Sequence, residues 1–299
     1  MVNPMTFDLT PYRSEYPWDG GFLTRPAGRL HYLDVGEGSP VLMVHGNPSW
    51  SFYWRRLVED LSDDHRCIVP DHMGMGLSDK PGDDTYKYTL DSRIDDLEAL
   101  IDELGVTEGL TLIAHDWGGM IGLGLAERRR GLVKRVVLMN TAGFALPSGS
   151  SLPWQLFLVR RLPFGLPVRG LNAFAQGAAY TCVSKPMPKL VREAYVAPYD
   201  SWAHRIAVHR FVQDIPLSPR DPAWSTVDKV SKALPEICSV PTLVVWGRKD
   251  FVFNDDFLAE WRRRLPDAGY LVFDDAGHYV LEDEHQVIVP RVREFVTAS

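Results

Sequence analysis

A chain of 299 residues, 45% hydrophobic and 24% charged, has the make-up of an ordinary folded globule, with room for one large core carrying an insertion or for two smaller cores. No run of about eighteen apolar residues is present to span a bilayer. The formal net charge of −7 gives no basic footprint for nucleic acid or an anionic lipid surface, so a small apolar substrate is the better expectation.

The N-terminal MVNPMTFDLTPYRSEYPWDGG has no basic start followed by an apolar stretch, so no secretory signal is read and a cytoplasmic protein is expected. Cys67, Cys182 and Cys238 lack metal-ligand spacing and sit among apolar or small neighbours, as buried free thiols do. Short apolar runs recur along the chain: RLHYLDV (29–35), VLMV (41–44), CIVP (67–70), TLIA (111–114), VVLM (136–139), TLVVW (242–246) and YLVF (270–273). They read as buried strands, and helix-length amphipathic segments lie between most of them. In YTLDSRIDDLEALIDELG (88–105), Leu90, Ile94, Leu97, Leu100, Ile101 and Leu104 fall on one helical face. The alternation implies an α/β protein with a mostly parallel sheet covered on both sides. It breaks between about 145 and 225, where Pro, Gly and aromatic residues are frequent and no strand-like run occurs. That stretch reads as a helical cap (145–225) inserted into a discontinuous core (1–144 and 226–299).

Four constellations fall on loops after predicted strands, the edge at which open α/β sheets bind ligands. The loop HGNPSWSFYW (45–54) can offer a backbone N–H to an oxyanion, and Asn47 adds an amide donor that a plain turn does not require. In AHDWGGMIG (114–122) a buried strand stops at a sharp turn and restarts as a helix, the pattern of a nucleophile elbow with Asp116 where serine is usual. Alone, Asp116 would be an ordinary helix N-cap; the flanking small residues and the partners elsewhere outweigh that reading. Asp250 follows TLVVW, and His278 follows the last strand on a Gly-containing loop. From Arg128 through Arg192 the chain has no Asp or Glu, so an acid after VVLM is excluded and Asp250 is left to partner His278. The order nucleophile, acid, histidine is that of an α/β-hydrolase triad.

HGNP, the DHMGMGLSDKP segment (71–81), HDWGG, WGRKD and GHYVLED together resemble the haloalkane dehalogenase family of α/β-hydrolases, over nearly the whole chain. HGNP with HDWGG is specific as a pair, whereas GLSDKP and GH are common to many α/β-hydrolases. The acid after TLVVW is the arrangement of two of the family's subgroups. The cap stretches NAFAQGAAY (172–180) and APYDSWAHRIAVHRFVQDIPL (197–217) look most like the third subgroup, which also contains β-lactone decarboxylases of bacterial long-chain olefin biosynthesis. The resemblance implies an α/β-hydrolase fold: a mostly parallel eight-stranded sheet flanked by helices, with an inserted helical cap. It also implies Asp116 as nucleophile, His278 as base oriented by Asp250, and the Asn47 amide with the Trp117 indole N–H as halide clamp. Backbone N–H groups near Asn47 and Trp117 would hold the oxyanion.

The expected activity is haloalkane dehalogenation. Asp116, ionised at neutral pH, displaces halide from saturated carbon, and water activated by His278 and Asp250 hydrolyses the alkyl-enzyme ester. Halide is then a product ligand, and neither a metal nor an organic cofactor has a task. The alternative is a β-lactone decarboxylase using the same residues, with a carboxylate in place of halide. Less favoured is an epoxide hydrolase, which needs cap tyrosines such as Tyr180, Tyr195 or Tyr199 and against which Asn47 argues. A non-catalytic binding protein on this scaffold is disfavoured by the intact triad. Phe144, Trp154, Phe157, Phe164, Phe174 and Tyr180 are the expected apolar lining of the site. The oligomeric state is left open, a homo-oligomer included.

Overall fold

In the computed structural model, which describes residues 7–161 and 165–298, the apolar runs form one eight-stranded sheet. The strands are β1 (Gly21–Arg25), β2 (Gly28–Val35), β3 (Ser39–Val44), β4 (His65–Pro70), β5 (Leu110–Asp116), β6 (Val133–Thr141), β7 (Thr242–Gly247) and β8 (Gly269–Phe273). Their order across the sheet is β1-β2-β4-β3-β5-β6-β7-β8. β2 runs antiparallel to both its neighbours, and every other pairing is parallel. β1 is absent from the sequence reading because GFLTR sits at the sheet edge, alternates between half-buried and exposed positions, and so contains no apolar run.

The helices are α1 (Arg55–Leu61), α2 (Leu90–Glu103), α3 (Trp117–Arg128), α4 (Trp154–Arg161), α5 (Ala173–Thr181), α6 (Lys189–Val196), α7 (Ile206–Gln213), α8 (Trp224–Ile237), α9 (Asp255–Arg264) and α10 (Val280–Thr297). α4 to α7 form the inserted cap, and no strand occurs among its described residues. All seven residues of β5 are buried, as expected of a central strand with helices on both faces. The pleat divides the core in two. Leu42, Val44, Leu112, Leu138 and Trp246 face one helical layer, and Val41, Met43, Ile113, Met139 and Val245 face the other. Burying each such side chain contributes about 1.5–3 kcal/mol, so a register slip that turned the faces over would be heavily penalised.

Among the buried contacts that fasten the cap to the core are two made by carboxylates. Arg93 on α2 pairs with Asp214 at the end of α7, Nη1 to Oδ2 being 3.1 Å. Asp283 on α10 accepts the N–H groups of Ser184 and Lys185, just after α5, and the N–H of Gly277 at 2.7 Å.

Candidate active site

β5 passes directly into α3, and Asp116 at the junction takes φ 54° and ψ −128°, a conformation that side-chain-bearing residues rarely adopt. The turn can be this sharp because its surroundings are small. A Cβ on Gly118 would overlap the Val44 carbonyl, one on Gly119 the Thr141 side chain, and one on Gly46 the Asp116 carboxylate itself. The Thr141 hydroxyl donates to the Asp116 carbonyl and braces the elbow from β6.

The buried Asp116 carboxylate accepts the backbone N–H of Asn47 at 2.6 Å and that of Trp117. Both N–H groups thus converge on the carboxylate. Burial is the largest influence on Asp116 and raises its pKa above the ordinary carboxylate value. The nearby His278 and the two N–H donors act in the opposite direction.

His278 stands on the loop before α10, with Nε2 3.7 Å from Oδ2 of Asp116 and Nδ1 2.7 Å from Oδ2 of Asp250. Burial disfavours its charged form, but Asp250 and Asp116 outweigh burial and its pKa is raised. Asp250 lies in the turn after β7, where Oδ1 accepts the N–H groups of Val252 and Phe253 at 2.7 and 3.0 Å. The Phe253 ring stacks on the imidazole.

Asn140 completes this arrangement and is not singled out by the sequence reading. It sits near the end of β6 at φ 35°, and its amide donates to Asp250 Oδ2 at 2.9 Å while exchanging two further hydrogen bonds with Gly247. The strand after the elbow helix therefore supplies an amide that orients the acid from β7. The available signal was the Asn directly following VVLM.

The side chain of Asn47 departs from expectation. Its Nδ2 donates to the Val208 carbonyl of the cap at 3.1 Å, and Oδ1 is buried with no partner among the described residues. One amide hydrogen is thus committed to the cap. Trp117 and Asn47 both line the cavity.

The cavity above Asp116 measures about 420 Å³ and is mostly apolar. Phe144 and Phe174 line it, as the sequence reading expects. Trp154, Phe157 and Tyr180 do not: they are 71%, 42% and 67% exposed and lie outside it. Phe164 falls outside the described residues. The reason is helical geometry. α5 turns Ala173, Phe174, Gly177, Ala178 and Thr181 inward, at spacings of one helical face, and these mostly small residues leave the space that bulky ones would fill. Tyr180 falls at the flank of this face and is turned to the surface, against the Arg192 guanidinium. Further apolar walls come from Phe251, Phe253 and Phe257, close after Asp250 in the sequence.

No tyrosine lines the cavity among the described residues. The hydroxyl of Tyr195 donates to Glu282, and that of Tyr199 to the Ser49 carbonyl. The cap tyrosines that an epoxide hydrolase would use are turned to other partners.

A buried carboxylate at a strained elbow, two backbone donors on it, and a histidine–aspartate pair within reach define an α/β-hydrolase with a carboxylate at the elbow. The family model for the alpha/beta hydrolase fold matches residues 39–285, and the chain belongs to that family. A cis-3-alkyl-4-alkyloxetan-2-one decarboxylase of Shewanella oneidensis is 52% identical over 285 residues, 95% of this chain and 90% of the relative. Haloalkane dehalogenase 2 of Mycobacterium tuberculosis is 29% identical over 307 residues, 97% of this chain and 99% of the relative. Among solved structures, the haloalkane dehalogenase of Bradyrhizobium elkani superposes with a TM-score of 0.81 at 25% identity, over 93% of this chain and 97% of that one. The protein is an enzyme of this fold, and the comparisons back the alternative reading better than the expected one: the decarboxylase lies much nearer in sequence than the dehalogenases. Motifs could not rank them, because displacement of a halide and opening of a lactone ask for the same nucleophile and the same anion donors.

Proposed function

We propose that this protein is a β-lactone decarboxylase, converting a cis-3,4-dialkyl oxetan-2-one to an olefin and CO2. The observation that carries the reading is the 52% identity, over 95% of the chain, to a protein of that name. The Asp116 elbow and the apolar cavity supply suitable chemistry.

The ionised Asp116 carboxylate attacks ring carbon C4 from the face opposite the ring oxygen. The C4–O bond breaks, its electron pair goes to that oxygen, and a carboxylate is released on C3 while C4 becomes esterified to Asp116. The C3–carboxylate bond then breaks. Its electron pair forms the C3–C4 double bond, the ester oxygen leaves C4 with its own pair, and CO2, olefin and free Asp116 result. No water is consumed and no proton is transferred. Inversion at C4 followed by anti loss of the two groups keeps the alkyl chains cis.

The protein's task is to make Asp116 reactive and to hold anions out of water. Burial makes the ionised Asp116 more basic and hence a stronger nucleophile. The indole N–H of Trp117 and the second amide hydrogen of Asn47 receive the carboxylate of the opened ring, in a low-dielectric setting where such donors act strongly. When the ester oxygen departs, the N–H groups of Asn47 and Trp117 and the imidazolium of His278 take back its charge. The cap, residues 145–225, walls the two alkyl chains.

The test is product analysis of purified protein incubated with a cis-dialkyl β-lactone, beside Asp116→Asn. Cis olefin equal to the lactone consumed, lost in the variant, is expected. Halide release from a primary bromoalkane with no olefin from the lactone would return the assignment to dehalogenation.

A further inference from the structure

Behind the wall that carries Trp117 sits a cation the chemistry above does not use. Arg93 is buried, and its guanidinium carbon lies 3.6 Å from the centre of the Phe211 ring and 5.8 Å from that of Trp117, the two rings being 5.5 Å apart. Among the described residues its one acid contact is Nη1 to Asp214. Nε and Nη2 are buried with no hydrogen-bond partner among the described residues. Guanidinium–carboxylate pairs are frequently held by two parallel bonds, and this one has a single bond. The guanidinium is turned to the aromatic wall instead, and unpaired buried donors of this kind are rare in folded proteins.

A cation against aromatic rings is attracted by their electron-rich faces and, in turn, draws on the electron density of the indole, which strengthens the indole N–H as a donor. It also adds a direct attraction for any anion received at that N–H. We propose that Arg93 is a positioning residue for the anion site, biasing the Trp117 wall towards the group that leaves as an anion, with Asp214 setting how much of its charge is felt there. The inference rests on the reading that the opened-ring carboxylate is received at Trp117.

The probe is butanoate, with bromide as a second anion, and direct binding is measured by calorimetry on the whole protein. Arg93→Met is expected to weaken butanoate about tenfold, the scale of one unit charge at this range in a partly screened interior. Arg93→Lys should recover part of the loss. Asp214→Asn, which leaves the Arg93 charge less balanced, should bind butanoate more tightly than wild type. Damage to packing has no reason to produce that gain. If Arg93→Met does not fold, Arg93→Met combined with Asp214→Asn removes both buried charges and should bind about tenfold more weakly than Asp214→Asn alone. Trp117→Phe separates the site of the anion from the influence of Arg93. Unchanged butanoate affinity in Trp117→Phe overturns the placement of the anion and the Arg93 proposal with it. Weakening in Trp117→Phe, with folded Arg93 and Asp214 variants that bind as wild type does, overturns the Arg93 proposal alone.

Discussion

His278 has different work in the two chemistries open to an aspartate elbow. Hydrolysis of an alkyl-enzyme ester needs it as a base towards water; olefin formation releases Asp116 without water and needs only a cation nearby. Burial lowers its pKa, but Asp250 and Asp116 outweigh burial and raise it, so the imidazole 3.7 Å from Asp116 is biased towards the charged form that suits the second task. His278→Ala should therefore still form olefin from a β-lactone, about 10²-fold more slowly, in the range of losing one charge-stabilising donor. The same variant should accumulate an alkyl adduct on Asp116 from a bromoalkane, visible as a mass gain. An adduct that builds up from the lactone instead, with olefin abolished, would sink the elimination step. At this scale the sequence was most informative where the pattern lies on a local turn, as at Asp116 and Trp117. Asn140 escaped notice because its role exists only through contacts with Gly247 and Asp250, over one hundred positions away.

Among the elements, α2 and α7 are joined by one buried ion pair whose behaviour with pH can be signed. Burial is the main cause that pushes Asp214 up to about 6, with Arg93 acting against it. The folded protein then holds this proton better than the unfolded chain. The stability contributed is fully present below the ordinary carboxylate value of 3.8 and is lost as pH rises through about 6. The melting temperature of wild type minus that of Asp214→Asn should accordingly fall between about pH 4.5 and pH 7. A difference that stays flat across this window would contradict the raised value. α2 itself was legible, its apolar face at Leu90, Ile94, Leu97, Leu100 and Ile101 being buried. Arg93 was not: it falls on that same buried face, and there it is enclosed by the cap's Phe211 and Asp214.

For the molecule as a whole, the cavity is a product of two segments that are separate in sequence, the strand ends of the core and the inner faces of α4 and α5. Ala178 faces that space from α5. Ala178→Trp should shift preference towards shorter alkyl chains, read as a fall in kcat/KM for long-chain lactones with little change for short ones, at a stability cost of about 1–3 kcal/mol from overpacking. Equal losses on all chain lengths would place the chains elsewhere. The sequence by itself determined the alternating strands and helices, the elbow and the order of Asp116, Asp250 and His278, because periodicity and turn chemistry are properties of neighbouring residues. Only the tertiary structure decided that Trp154 and Tyr180 turn away from the cavity, that Asn140 holds Asp250, and that Arg93 stands behind Trp117. Each of these depends on which face of an element meets another far along the chain, and a linear pattern contains no such distance.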